Sequence, residues 1–300
     1  MRTTRSRLRF RSPRCSAGVI FFAAFLALFQ ARLSAAPQKG NGLFTLYYVY
    51  EATGKEPSSG RQVTIVTTKG EKLRVRVSPP VLRRANIEGT VASTDPKDGK
   101  RYITNYIKTG LWKDLPDGWE GMGNHSNPLV AYRSVAADQK HHRYGARLFV
   151  PRLVGVEIPG WKAPHDGYVW VADSGGGIKG AMRFDLFVGK QEEYEIVMEL
   201  EKQKGKWSVP VEIENLPAAP KGYNPKTDAG LGKILKGVGL LKSDGKADAK
   251  AALIAFQKLH PHIPPIEHGK PGGAVTLWYL TQAAIAVSNQ KAYEAGSPGS

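Results

Sequence analysis

Residues 144–189 read YGARLFVPRLVGVEIPGWKAPHDGYVWVADSGGGIKGAMRFDLFVG. Three β-type runs, Arg147 to Val150, Tyr168 to Val171 and Phe184 to Val188, alternate with Gly, Pro and Asp turns, and nothing between them repeats at helical spacing. Short strands so arranged imply a barrel or a sandwich. Three aspartates punctuate the runs: Asp166 in His-Asp-Gly, Asp173 in Ala-Asp-Ser-Gly-Gly-Gly, and Asp185 in Phe-Asp-Leu-Phe. An Asp before glycine is ordinarily a turn residue. Asp185 differs, because alternation turns its carboxylate away from Phe184 and Leu186 along one strand. Asp173 ends a strand and opens a turn of Gly175, Gly176 and Gly177, where backbone can approach a ligand closely.

Upstream, the same grammar continues back to Leu43, with β-type runs at Leu43 to Tyr50, Gln62 to Thr67 and Leu73 to Val77. The stretch from Pro96 to Asn127 is polar and Gly-rich and reads as long loops or an insertion. Downstream, Pro217, Pro220, Gly222 and Pro225 mark a linker. Helical spacing then takes over: Leu231, Ile234, Leu235 and Val238 form one stripe, and Leu253, Phe256 and Leu259 begin a second. Thr276 is placed to cap a third helix carrying Leu277, Leu280, Ala284 and Val287. The expected organisation is an export signal over 1–36, a barrel domain over 40–200, a linker over 201–226, a helical domain over 227–290 and a tail over 291–300.

The first segment has the form of a secretory signal: an arginine-rich start, an apolar run from Ala17 to Phe29, then Ser34-Ala35-Ala36. The apolar run is too short to span a bilayer, which takes about 20 residues. Pro37 suits a cleavage junction poorly, so membrane contact is expected only through an uncleaved signal anchor. The formal charge of +17 includes seven arginines of this segment, and the remainder carries +10. That excess suits an anionic partner. No nucleic-acid-binding motif appears, so nucleic acid is not expected as the partner. Cys15 is the single cysteine and precedes the apolar run, so after cleavage neither a disulfide nor a thiolate nucleophile is available. His125, His141, His142 and His165 lie in the barrel segment without the spacing of a zinc motif, and neighbouring His141 and His142 would point to opposite sides of a strand. No metal and no other cofactor is expected.

The segment 129–189 resembles the 3D domain, named for three aspartates and shared by the membrane-bound lytic transglycosylase A family and related wall-remodelling proteins. The resemblance rests on Asp166-Gly167, on Asp173-Ser174-Gly175-Gly176-Gly177-Ile178-Lys179-Gly180, and on Asp185-Leu186-Phe187-Val188-Gly189. Tyr132 to Asp138 and Tyr144 to Pro151 are similar to its upstream segments, and Thr45-Leu46-Tyr47-Tyr48 and Glu88-Gly89-Thr90 to its opening motifs. Ser174 stands where the family usually has threonine, and His141-His142-Arg143 replaces its apolar residue and proline. The helical part resembles the three-helix peptidoglycan-binding domain through Asp244-Gly245, Phe256-Gln257, Gly269 and Thr276, although Glu267-His268-Gly269 replaces its second Asp-Gly turn.

The resemblance implies a mainly β chain: a double-psi β-barrel whose groove takes peptidoglycan glycan strands, followed by a small wall-binding bundle, exported to the periplasm, outer membrane or cell wall. It implies a lytic transglycosylase in which one carboxyl group serves as both acid and base, with Asp185 in that role and Asp173 and Asp166 beside it. Thr45, Tyr47, Gly175, Gly176, Gly177 and Lys179 would bind substrate. Ionised Asp166 or Asp173 would raise the pKa of Asp185 and Lys179 would lower it. The rival expectation is a non-catalytic, expansin-like protein that binds wall polysaccharide.

Overall fold

The computed structural model describes residues 36–51, 61–67, 69–77, 79–95, 99–106, 111–123, 126, 128–158, 160–190, 206–241 and 248–296. The expected export signal lies outside them. Residues 34–300 form one compact unit. Its first strand, β1 (Gln38–Glu51), is long enough to serve two sheets.

An inserted sheet follows in sequence: β2 (Arg61–Val66), β3 (Lys72–Val77), helix α1 (Pro79–Glu88), β4 (Thr90–Asp95), β5 (Gly99–Tyr106) and β6 (Leu111–Asp114). It grows from the far end of β1, where Tyr50 pairs with Val91 and Glu51 with Ala92, and runs in the order β4-β5-β6-β2-β3. Val81 of α1 covers it over a small core of Ile65, Val91 and Trp112, with Tyr50 and Val63 at the margin. β5 and β6 fall inside 96–127, the stretch expected to be loops. Its Gly and charged residues hide strands whose cross-strand pairing, rather than their own alternation, specifies them.

The remaining strands are β7 (Ser134–Ala137), β8 (Arg147–Phe149), β9 (Tyr168–Asp173), β10 (Arg183–Lys190) and β11 (Lys206–Glu214). They join in the order β10-β7-β9-β8-β11-β1, and β1 also pairs with β10, so six strands close into a barrel. The pairs β1–β10 and β7–β9 are parallel and the other barrel pairs antiparallel. Alternation gives every strand an inner face. Phe44, Val135, Val171, Phe184, Leu186 and Val211 fill the interior, where the Phe44 ring stacks on Trp207 at 4.7 Å and lies 5.1 Å from Phe184. Gly42 is required here: a Cβ would sit 2.9 Å from the Phe44 ring and 3.0 Å from Val211.

β11 corrects the expected linker over 201–226. Trp207, Val209, Val211 and Ile213 alternate inward as a strand should, but Pro210 interrupts the reading, since proline cannot donate to a ladder. Pro210 stands opposite Asn41 on β1.

Three helices follow, α2 (Asp228–Gly237), α3 (Ala249–Lys258) and α4 (Ala274–Gly296), the last running past 290 into the segment expected to be a tail. The Thr227 hydroxyl accepts from Gly230 N and caps α2. Leu259 lies outside the α3 stripe, 61% exposed after the helix end. Thr276 is not the cap of α4. It lies inside the first turn, and the buried Glu267 carboxylate accepts from its N–H at 2.8 Å and from Val275 N–H at 3.3 Å. An anion at the positive helix end does the capping from outside the helix. Gln257 completes this corner, donating to Glu267 O and Thr276 Oγ1 and accepting from Gly269 N–H. Among the described residues no helix is long and apolar enough to cross a membrane.

The helices do not own a separate core. One apolar cluster runs from Tyr47, Ala136 and Trp170 on the outer face of the barrel to Leu231, Leu253 and Leu277. Polar contacts reinforce the join: Tyr144 Oη donates to Gly272 O, the Arg147 guanidinium lies 4.8 Å over Trp278, and His262 meets Asp166 at 2.8 Å. Removing the helices would bare this apolar surface, at about 25 cal/mol per Å². A chain ending at Asn224 is therefore expected to lose cooperative unfolding and to bind a hydrophobic dye. A sharp thermal transition within about 5 °C of the full chain would contradict the shared core.

Candidate active site

Phe184 and Leu186 enter the barrel interior, so Asp185 between them faces outward, as does Thr45 between Phe44 and Leu46. The register carries this outer row across four strands: Thr45 on β1 pairs with Asp185 on β10, Asp185 with Ala136 on β7, and Ala136 with Asp173 on β9. Strict alternation would have turned Asp173 inward, because Val171 is an interior residue. The β7–β9 pairing slips between Val135 and Ala136, passing over Ala172. This bulge sets Ala172 and Asp173 against Ala136 and re-aims the carboxylate onto the face of Asp185. Gly123 lies tight against the bulge, where a Cβ would come within 2.3 Å of Ala172 O.

Tyr47 stands between the two carboxylates. Its ring is buried 5.2 Å from Phe187, and its hydroxyl is 3.4 Å from Asp173 Oδ2. Burial first, then the charges of Asp173 and Asp185, push the Tyr47 pKa well above its ordinary value, so the hydroxyl stays protonated and donates to Asp173. Asp185 Oδ1 and Thr45 Oγ1 are both buried, and among the described residues neither meets hydrogen-bonding geometry with any partner. Burial raises the Asp185 carboxyl above the usual carboxylate range, while the neighbouring Thr45 hydroxyl and the Arg183 guanidinium work the other way. The cause thus differs from the expected repulsion by Asp166 or Asp173, and Arg183 rather than Lys179 is the opposing cation.

The glycine turn is pinned on either side and open at its tip. Ile178 is buried, and its N–H donates to Gly175 O. Asp138 accepts from Gly180 N–H and Lys140 N–H, both at 3.0 Å, which ties the turn to the end of β7 and lowers the Asp138 pKa. Gly176 and Gly177 are exposed, with no atom within 4 Å of a built Cβ, and Lys179 is exposed beside them. His142 also supports this loop from beneath. It is buried between Asn215 Oδ1 at 3.1 Å and Ala181 O at 2.6 Å.

Asp166 is placed differently. It is ion-paired with Arg133, accepts from Tyr168 N–H at 3.1 Å and meets His262 Nδ1 at 2.8 Å. Burial alone would raise its pKa, but the bonds from His262, Arg133 and Tyr168 N–H together hold it well below the usual range. The neighbouring His165 donates from Nε2 to Tyr132 O and accepts at Nδ1 from Gly167 N–H, and burial lowers its pKa to about 4. This cluster joins the barrel to the helical part. A separate hollow of about 360 Å³ along the loop between β8 and β9, lined by Glu157, Ile158, Trp161 and Lys162 among others, shares no residue with the carboxylate row.

Of the residues expected at the site, the structure brings together Asp185, Asp173, Thr45 and Tyr47, sets the Gly175 turn directly after Asp173, and gives Asp166 other partners. Sequence reasoning missed Asp138 and Gly123 as supports of the row.

No curated protein sequence matches the chain. Among solved structures it is similar to the membrane-bound lytic murein transglycosylase from Agrobacterium tumefaciens, at 12% identity over 65% of this chain and 84% of that one, with a TM-score of 0.40. It is also similar to MltA from Escherichia coli with bound chitohexaose (15% identity, 59% and 73% covered, TM-score 0.39) and to MltA from Neisseria gonorrhoeae (15%, 65% and 88%, TM-score 0.40). The segment that carries all three aspartates, residues 133–206, matches the family model of the 3D domain.

Proposed function

We propose that this protein is a peptidoglycan lytic transglycosylase, in which Asp185 cleaves the bond between N-acetylmuramic acid and N-acetylglucosamine. The observation that carries the reading is the Asp185 carboxyl itself: an outward-facing acid with one buried, unpartnered oxygen, in register with Thr45 and Asp173 inside a 3D-domain segment. Burial keeps such an acid protonated at higher pH than an ordinary aspartate, as a general acid requires.

In the first step Asp185 gives its proton to the glycosidic oxygen as the bond from muramyl C1 breaks. In the second, muramyl O6 bonds to C1 and its proton passes to the Asp185 carboxylate, which restores the acid and leaves a 1,6-anhydro end. Water takes no part, and one carboxyl group serves both transfers, unlike the two-carboxylate hydrolases. Tyr47, held protonated, and Thr45 donate to the sugar next to the scissile bond. The open Gly176–Gly177 backbone and Lys179 receive the neighbouring residues of the strand. Asp166 acts at a distance, fixing the position of β9. The parallel pairs β1–β10 and β7–β9 support reading the barrel as double-psi, and the basic surface and the fused helical part support a glycan-strand partner in the cell envelope.

Asp173 on the same face gives a second reading some support: a hydrolase in which Asp173 activates water. Two measurements separate the possibilities. Asp185→Asn keeps the shape but not the proton, and release of muropeptides from purified sacculi is expected to fall by about 10²- to 10⁴-fold with the thermal midpoint unchanged; undiminished release would remove Asp185 from the mechanism. The wild-type rate is expected to decline as pH rises through the raised Asp185 pKa, because the acid form is lost. Digestion in water enriched in heavy oxygen should then give anhydro-ended products without label. Label at muramyl C1 would establish hydrolysis, and no product from any wall type would favour the non-catalytic, expansin-like reading.

A further inference from the structure

The outer row that holds Thr45 and Asp185 has unequal neighbours. One step along the strands in one direction, Tyr47 and Phe187 are paired in register and buried, and the segment through Gly121 lies against the Phe187 ring. One step in the other direction, Leu43 is paired with Arg183. These two stand two residues before Thr45 and Asp185, so alternation puts them on the same outer face, roughly 6–7 Å away along the strands. Leu43 is 40% exposed, although its strand is paired on both edges at that point, with β10 and with Ser208 of β11. The half-buried Arg183 donates from Nη1 to Leu43 O and to Phe184 O, each at 3.4 Å, longer than an ordinary N–H···O bond. Among the described residues no carboxylate forms an ion pair with it. Most of the N–H groups of its guanidinium are therefore left for a ligand.

An exposed apolar side chain beside an unpaired cation fits a small group that carries both a methyl and a carboxyl. N-acetylmuramic acid differs from N-acetylglucosamine by one such group, the lactyl ether on C3. A single ring carbon separates C3 from C1, so with the scissile oxygen at Asp185 the lactyl group has about one row to cover. Burial of Tyr47 and Phe187 closes the opposite direction. We propose that Leu43 and Arg183 form the subsite for the lactyl group of N-acetylmuramic acid, Leu43 against its methyl and Arg183 on its carboxyl, and so select muramyl strands over plain N-acetylglucosamine chains. The proposal rests on the reading of the row as the place where a muramyl bond is cut. The planar arginine fork meets a free lactyl carboxylate with two parallel bonds, and it still donates to the carbonyl where that carboxyl carries a peptide. A carboxylate on Arg183 would also offset the cation that opposes the rise of the Asp185 pKa.

The test compares two tetrasaccharides by calorimetry on the full-length Asp185→Asn chain, which leaves its ligands intact. One is a peptide-free strand of alternating N-acetylglucosamine and N-acetylmuramic acid; the other is chitotetraose, which has no lactyl groups. The muramyl strand should bind at least about tenfold more tightly. Arg183→Gln in the same chain should bring the two affinities within about twofold of each other, with that for chitotetraose unchanged. Arg183→Lys, which keeps the charge but not the fork, should retain part of the preference, and Leu43→Ala should reduce it several-fold. Equal affinities in the parent chain, a preference that survives Arg183→Gln, or a parallel loss of both ligands in folded Arg183→Gln would overturn the proposal. Cleavage of sacculi by the wild type would then leave the transglycosylase reading standing. A preference abolished by Arg183→Gln, in a protein whose wild type cleaves no glycan, would uphold the subsite and overturn that reading instead. Binding of neither tetrasaccharide would overturn both.

Discussion

β1 pairs with β10 on one edge and β11 on the other, and this double pairing both closes the barrel and sets Thr45 opposite Asp185. Everything at the site is measured from that register. Because side chains alternate with a period of two, a slip of one residue would send Asp185 into the apolar interior and Phe184 outward. The interior forbids that slip: Phe44, Phe184 and Trp207 interlock, and Gly42 leaves no space for a shifted side chain. The barrel core thus specifies the outer face without contributing an atom to it. Two departures from regular pairing then supply what alternation cannot. The slip at Ala136 brings Asp173 onto the face, and the slip between Tyr47 and Val49 lies where β1 passes from the barrel to the inserted sheet.

The carboxylates of the segment are sorted by their surroundings rather than by type. Asp166 has three donors and is held ionised; Asp138 has two backbone donors and is also lowered; Asp185 has an oxygen with none and is raised. An unmet buried acceptor costs stability, on the order of 1–3 kcal/mol for a polar group, and such a cost is expected at a site that completes its hydrogen bonding only when substrate arrives. The helical part belongs to the same arrangement. Its His262 is one of the three donors to Asp166, so the end of β9 is anchored from outside the barrel.

Much of this was legible in the sequence, and what escaped has physical reasons. The strands at 147–150, 168–171 and 184–188 and the outward aim of Asp185 follow from local alternation, which a single strand displays by itself. The three helices likewise announced themselves by spacing. β11 was hidden by Pro210, α1 by its brevity behind Pro79 and Pro80, and β5 and β6 by a composition suited to loops. The separate roles of Asp166 and Asp185 were not legible, because the motif treats them alike. The residues beside them, Arg133 and His262 for one and the register neighbour Thr45 for the other, lie far away in sequence. The bulge that turns Asp173 is a matter of register between strands, and no single strand carries that information. The shared core escaped for the same reason: each helix shows an apolar stripe, but a stripe does not say what it will cover.

The central claim is that the outer row across β1, β10, β7 and β9 is where a glycan strand is cut. The most direct measurement is a crystal structure of the Asp185→Asn variant with a bound N-acetylated glycan oligosaccharide. The account predicts the sugar chain lying across that row, with a glycosidic oxygen within hydrogen-bonding distance of the residue 185 side chain and the Tyr47 hydroxyl donating to an adjacent sugar. An oligosaccharide seated elsewhere, such as in the hollow beside Trp161, with the row left to solvent, would contradict it.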